Sequence, residues 1–395
     1  MTPVDTQLAH AAALAGLSQM TPVRLVQVLS TLEPVEAWAA LTRGTNPGDP
    51  ERRFAAAARS TDPKAVGEKY ARSGVQILLS DDGRYPPELV DDPGAPAVLF
   101  AHGDPSGLHD RRRVAIVGTR SATPYGRQVA ADLGRDLASA GVVVVSGLAR
   151  GIDGAAHAGA LGGADGRGAA PAAVVGTGLD VVYPTSNAKL WEQVAARGVV
   201  FSESALGTLP RPRVFPARNR IIAALSDVVV VVESHHRGGC LYTVEAAARR
   251  GIPVAAVPGS VRSRASDGTN GLLVDGCIPV RDATDVLVAI SLARSGRSVP
   301  APAPSPALET ATQVASGGRR LGMPDRPPAG ERVVSSGPAV SEAGRSVLDA
   351  VDDTPTTFET ILLRTGLTIA VAAEACEDLV DAGRLLAGAG WWSRR

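Results

Sequence analysis

Cysteine is scarce and poorly placed for pairing. Cys240, Cys277 and Cys376 are the only three in 395 residues. They lie far apart with no CxxC step, so neither a disulfide framework nor a zinc site is indicated, and they read as small buried apolar residues. No stretch approaches the roughly 20 uninterrupted apolar residues of a membrane helix. The start of the chain, with Asp5 and no basic cluster, does not read as a signal peptide, so a cytosolic location and no membrane partner are expected. Lysine is nearly missing, at Lys64, Lys69 and Lys189 alone. The excess of arginine, with abundant alanine and glycine, suggests the coding bias of a GC-rich genome, which lowers the weight of any single arginine. Net charge is absent too: 40 basic residues balance 40 acidic ones. That argues against coating DNA with the whole surface and requires any nucleic-acid site to be local.

At this length two or three units around one main core are expected. Residues 1–70 read as a small helical domain, with Thr21 and Pro22 as cap and first turn of a helix whose apolar face runs through Leu25, Val28 and Leu29. From residue 71 to 293, apolar runs alternate with helical segments. The runs are Val114 to Val117, Val142 to Val145, Ala173 to Val175, Val199 to Phe201, Val228 to Val232 and Val254 to Val257. Each is β-branched and apolar on consecutive residues, as strands buried on both faces require, so the spacing predicts an α/β core of Rossmann-like type, with a doubly wound, mainly parallel sheet. Residues 294–340 are rich in proline, alanine, serine and glycine and read as a disordered linker. Residues 341–395 hold three short helical patterns, around Val347 to Val351, Phe358 to Leu363 and Val371 to Val380. A turn at Gly383 and the segment Leu385 to Trp392 follow, which suggests a winged helix.

Known nucleotide fingerprints are absent. There is no Walker A string and no GxGxxG after the first strand, since Gly118 stands alone and Gly176-Thr177-Gly178 has Val181 where a third glycine belongs. No acidic residue closes the second strand to hold a ribose, so no dinucleotide or ATP site, and no cofactor, is expected.

Ligands of open parallel sheets bind beyond the carboxyl ends of the strands. Here those ends are polar and glycine-rich: Gly118-Thr119-Arg120-Ser121, then Ser146-Gly147-Leu148-Ala149-Arg150-Gly151-Ile152-Asp153, then Gly176-Thr177-Gly178-Leu179-Asp180. Backbone N–H groups in such loops suit phosphate oxygens. Taken singly, each is equally at home as a tight strand-to-helix turn.

The strongest local signal is Arg211-Pro212-Arg213-Val214-Phe215-Pro216-Ala217-Arg218-Asn219-Arg220, with four arginines in ten positions and no acid between Glu203 and Asp227. Arginines around an aromatic ring suit sequence-tolerant binding of a single strand, phosphates on the cations and a base on the ring. A solvated basic helix start with Phe215 in the core stays open.

The same strings carry a resemblance. Ile116-Val117-Gly118-Thr119-Arg120, Ser146 to Asp153 with Ala156-His157, Gly178-Leu179-Asp180 with Tyr183-Pro184, Phe215 to Ile222, and Val257-Pro258-Gly259 occur in order. Together they resemble the DNA-processing protein A family, also called Smf, densely from Val75 to Cys277. The resemblance implies a Rossmann-like core that binds single-stranded DNA, dimerises, and hands the strand to the recombinase RecA in natural transformation, with no established catalytic activity. It also implies a small helical N-terminal domain, of SAM or helix-hairpin-helix kind, and a C-terminal winged helix. The family's binding residues map onto Gly118, Arg120, Phe215, Arg218 and Asn219, along with neighbouring basic positions; the glycine loops and the basic strip add Thr119, Ser121, Ser146, Gly147, Arg150, Gly176, Gly178, Arg211, Arg213, Arg220, Gly238, Gly239 and Thr243 as DNA-binding candidates. One departure stands out. Where the family usually has Ser-Gly-Ser-Leu, this chain has Gly238-Gly239-Cys240-Leu241 before Thr243, which keeps backbone donors and loses two hydroxyls.

His157 with Asp153 one turn before it could suggest acid–base chemistry, but with no nucleophile or metal partner evident an orienting hydrogen bond is the plainer reading. Asp153 and Asp180 could shape their loops or coordinate a metal. Glu245 keeps open an alternative in which the glycine loops bind a nucleotide and hydrolyse its N-glycosidic bond. The C-terminal segment carries five arginines against nine acids from Ser341 onward, which suits contact with a protein better than with phosphates.

Overall fold

The computed structural model describes residues 5–164, 168–211, 214–295, 342–351, 356–367, 371–372, 375–376, 379, 384–388 and 391–394. The chain forms two compact units, Met1–Gly318 and Arg319–Arg395. Among the described residues no helix is long and apolar enough to cross a membrane.

All six apolar runs are strands of the first unit: β3 (Arg113–Val117), β4 (Val143–Ser146), β5 (Ala172–Val175), β6 (Val199–Ser202), β7 (Val228–Val231) and β8 (Val254–Ala256). They lie parallel, as the runs predict, together with a two-residue β9 (Ile278–Pro279). Two further strands, β1 (Gln76–Leu78) and β2 (Leu99–Gly103), extend the sheet on the β6 side in antiparallel sense. The order is β1-β2-β6-β5-β4-β3-β7-β8-β9, with α6 (Pro87–Val90) between β1 and β2 in the chain and α9 (Ala188–Arg197) between β5 and β6.

Consecutive apolar residues are needed because both faces are covered. Val114 and Ile116 point to a layer formed by α7 (Pro124–Ser139), α8 (Ile152–Gly163) and α13 (Ala283–Arg294). Ala115 and Val117 point to the opposite layer, which holds α10 (Val214–Ala224), α11 (Leu241–Ala248) and α12 (Asp267–Val274). Leu137 of α7 is fully buried in the first layer, and truncating such a side chain to alanine costs about 2 to 5 kcal/mol. Cys240 and Cys277 are buried free thiols, each pushed up to about 11 by burial.

Five helices precede the sheet: α1 (Thr6–Ala15), α2 (Pro22–Leu29), α3 (Pro34–Arg43), α4 (Ala55–Ser60) and α5 (Pro63–Ser73). Thr21 caps α2 by accepting the Arg24 N–H at 3.3 Å, with Pro22 at the first helical position. Their apolar faces share one cluster with the sheet, in which Leu14, Trp38 and Tyr70 join Phe100, Val175 and Val200. Tyr70 stacks on Phe100 at 5.0 Å, and its phenolic oxygen accepts the Leu206 N–H at 3.0 Å.

Strand order reverses at β3. The chain runs outward through β4, β5 and β6 on one side, then crosses to β7 and β8 on the other. The carboxyl ends of these strands share one edge, and the reversal places a crevice between the ends of β3 and β7.

In the second unit the described residues form α14 (Glu342–Ala350), α15 (Phe358–Thr365) and the antiparallel strands β10 (Thr356–Thr357), β11 (Leu385–Gly388) and β12 (Trp391–Arg394), in the order β10-β12-β11. Val347, Val351, Ile361, Leu379 and Leu385 make its core. Half of the third helical pattern, Val371 to Val380, lies outside the described residues, as does the linker of residues 294–340 beyond Ser295.

Candidate nucleic-acid interface

The edge is built by glycines that let backbones touch. Gly151 has a φ of +78°, and a Cβ there would lie 2.3 Å from the Thr119 carbonyl oxygen. That carbonyl accepts the Ile152 N–H at 3.2 Å, while Thr119 N–H donates to the Glu233 carbonyl at 2.8 Å. The loops after β3, β4 and β7 are thus sewn together through main-chain bonds. At Gly118 a Cβ would meet Ile152 at 2.6 Å, and at Gly178 the Ala205 carbonyl at 2.6 Å.

Gly147 makes a different kind of room. A Cβ there would fall 1.8 Å from Nη1 of Arg218. The Arg218 guanidinium passes beneath the loop, is buried, and donates to the Val174 carbonyl at 2.6 Å. Burial pushes its pKa down to about 10, against the pull of Asp153. Burial likewise raises the Asp153 carboxyl, opposed by Arg218 and by the Ala149 and Gly147 N–H groups. His157, one turn on, is held down to about 4 by burial and by the nearby Arg218 charge, and neither ring nitrogen has a hydrogen-bond partner among the described residues, so the orienting bond expected from the sequence is not formed. It is neutral at pH 7.

The predicted site residues therefore divide into two layers. Arg120, Ser121, Arg150, Arg211 and Gly239 are exposed, and Thr119, Gly118, Phe215 and Asn219 are half-buried. Ser146, Gly147, Gly176, Gly178, Arg218 and Thr243 lie buried beneath them. The Ser146 hydroxyl donates to the Ile116 carbonyl at 2.6 Å, which ties β4 to β3. Arg220 turns away from the edge to pair with Glu203. Arg213 lies outside the described residues.

Phe215 is the centre of the outer layer. The Arg120 guanidinium carbon sits over its ring, 4.8 Å from the centroid. Tyr183, from the loop after β5, approaches from 5.5 Å with a tilt of 36°. One turn along α10, Asn219 donates to the Gly239 carbonyl at 3.4 Å and ties α10 to the loop after β7. At that loop the family departure has a local cause. A Cβ on Gly238 would meet the Ser234 hydroxyl at 2.4 Å, and Cys240 donates its thiol to that hydroxyl at 3.1 Å.

Two residues escaped the sequence reading. Glu233 is buried at the crevice, where its carboxylate accepts the Thr123 N–H at 2.9 Å and hydroxyl at 2.5 Å at the start of α7. A helix N-terminus at this reversal is where a dinucleotide phosphate would rest, and here a side-chain anion fills it. An acid two residues beyond an all-valine strand was the available signal. Tyr183 was quoted as part of a motif but not as an aromatic neighbour of Phe215. Glu245, the carboxylate of the hydrolase alternative, pairs instead with Arg249 on α11.

Residues 76–291 match the family described as DNA recombination-mediator protein A. The chain belongs to that family. The matched span runs from β1 into α13 and includes every loop of the edge just described. The chain is 38% identical over 290 residues to a putative DNA processing protein DprA of Mycobacterium tuberculosis, covering 70% of this chain and 73% of that one. It is 40% identical over 206 residues to DNA processing protein DprA of Streptococcus pneumoniae, covering 52% and 71%. The crystal structure of DNA processing protein A from Streptococcus pneumoniae superposes with a TM-score of 0.62 at 32% identity, over 73% of this chain and 98% of that one. The chain thus shares its fold with the Streptococcus pneumoniae structure and its family with the DNA recombination-mediator proteins.

Proposed function

We propose that this protein binds single-stranded DNA along the carboxyl edge of its sheet and helps load a RecA-type recombinase onto it, as a cytosolic homodimer. The observation that carries the reading is the Arg120 guanidinium lying over the Phe215 ring, on an edge that also exposes Arg150 and Arg211. Arginines neutralise phosphates and release counterions, while a ring accepts any base on its face. Recognition of this kind is tolerant of sequence, as a loader of arbitrary strands requires. The exposed Thr119–Ser121 loop, Arg150, Arg211, Phe215, Asn219 and Gly239 would touch the strand. Buried Ser146, Gly147, Arg218 and Thr243 would hold those loops in place. Dimerisation is supported by the family and by α13, whose Val288 is 54% exposed. Two edges in one particle raise apparent affinity for longer strands through effective concentration.

The test is fluorescence anisotropy with labelled oligo(dT) and a duplex of equal length, followed by recombinase filament formation on the bound strand. Preference for the single strand and faster filament growth are expected. Equal affinity for both DNAs, or filament growth unaffected by the protein, would remove the respective half of the reading.

A further inference from the structure

The exposed tyrosines of this chain gather at one edge. Aromatic residues make up 4% of the sequence, and five are tyrosines. Tyr70 and Tyr85 are buried, with their phenols bonded to Leu206 N–H and the Pro96 carbonyl. The other three, Tyr125, Tyr183 and Tyr242, are 55%, 40% and 43% exposed. Tyr125 lies in the first turn of α7, Tyr183 in the loop after β5, and Tyr242 in the first turn of α11. Each follows a parallel strand at its carboxyl end. Tyrosine rings left in water along this edge call for a partner with flat apolar faces.

One of the three is a direct neighbour of Phe215, and a second begins the helix beside it. Tyr183 stands 5.5 Å from it. Tyr242 begins the helix that packs beside α10, and the bond from Asn219 to the Gly239 carbonyl fixes the start of α11 next to the first turns of α10. Between β5 and β7 lie β4 and β3, so the two tyrosines follow strands that are on the order of 14 Å apart along the sheet edge. Charge fits the same occupant. Arg120, Arg150 and Arg237 are exposed in the intervening loops, whereas the nearby carboxylates are engaged: Asp180 with Lys69, Glu233 with Thr123 and Glu245 with Arg249. Tyr125 is set apart, since α7 covers the opposite face of the sheet and its hydroxyl lies 3.5 Å from the Pro258 carbonyl.

We propose that Tyr183 and Tyr242 are further base-stacking residues, which with Phe215 form a track of three rings that holds successive bases of one DNA strand. The proposal rests on the single-strand reading above and extends it from one ring to three. Stacking acts on bases, so these rings discriminate between oligo(dT) and an abasic strand carrying the same number of phosphates.

The experiment measures the affinity of the full chain for both strands in wild type, Tyr183→Ala, Tyr242→Ala, Tyr183→Phe, Tyr242→Phe and, as a control from the opposite face, Tyr125→Ala. Each alanine variant should lose about 5-fold to 150-fold in affinity for oligo(dT) and little for the abasic strand. The phenylalanine variants should retain the wild-type ratio, as should Tyr125→Ala. All of these side chains are exposed, so folding is expected to survive, and melting curves check it. Equal losses on both strands in the alanine variants would mean a structural role and overturn the proposal. So would an unchanged ratio in both tyrosine variants while Phe215→Ala lowers it, which leaves the single-strand reading standing. If the wild type binds neither strand, that reading fails first and the track with it.

Discussion

Arg220 is paired with Glu203 through two bonds, Nη1 to Oε1 at 3.0 Å and Nη2 to Oε2 at 2.6 Å. The arginine side chain is 23% exposed and the carboxylate 8%. This pair fastens the middle of α10 to the end of β6, and it removes Arg220 from the set of cations open to phosphate. Arg220→Ala should therefore leave the salt dependence of DNA affinity unchanged. Loss of the partner strands a nearly buried carboxylate, so stability should fall by about 1 to 3 kcal/mol. A denaturant melt beside a salt titration reads both quantities. A flattened salt slope would show Arg220 on phosphate.

Arg218 and Asp153 are opposite charges buried beneath the edge, each acting on the other, with Arg218 directly under Gly147. Removing one charge of a buried pair is strongly destabilising, by about 3 to 5 kcal/mol, because the other is left uncompensated. Arg218→Ala should show that loss, and adding Asp153→Asn should recover part of it. Additive losses in the double variant would mean that the two groups do not compensate one another.

His157 gives the protein an acid-sensitive element. Burial holds its folded pKa down to about 4, below the ordinary imidazole value near 6.5. The unfolded chain thus binds more protons between those values, so stability from this group is fully present above about pH 6.5 and is lost as pH falls toward 4. Unfolding free energy measured across that window should fall with acid in the wild type and less steeply in His157→Gln. Identical slopes would remove His157 as the cause.

The parallel sheet was legible because each central strand is a run of valines and alanines that only two-sided burial explains. Strands β1, β2 and β9 were not, since Gln76–Leu78 and Ile278–Pro279 are too short to carry a period, and Leu99–Gly103 ends in histidine and glycine. At the site, the strip from Arg211 to Arg220 looked uncompensated because no acid falls between Glu203 and Asp227. Both bounding acids are engaged across space, Glu203 by Arg220 and Asp227 by Arg294. Which arginine turns inward depends on a vacancy elsewhere, at Gly147, and linear spacing does not contain that information. Phe215 was legible as the one ring inside an arginine-rich strip and from the family resemblance. Its neighbours Arg120 and Tyr183 come from loops 95 and 32 residues away and meet it only once the strand order is known.

The central claim is that Arg120 and Phe215 together receive a DNA strand, the one through charge and the other through its ring. The most direct test is the affinity for oligo(dT) as a function of salt in wild type, Arg120→Ala and Phe215→Ala. Each phosphate neutralised on a single strand contributes about 0.7 to the slope of log affinity against log salt. Arg120→Ala should weaken binding and flatten the slope by about that amount, whereas Phe215→Ala should cost about 1 to 3 kcal/mol with the slope unchanged. An Arg120→Ala protein with wild-type affinity and slope would contradict the account.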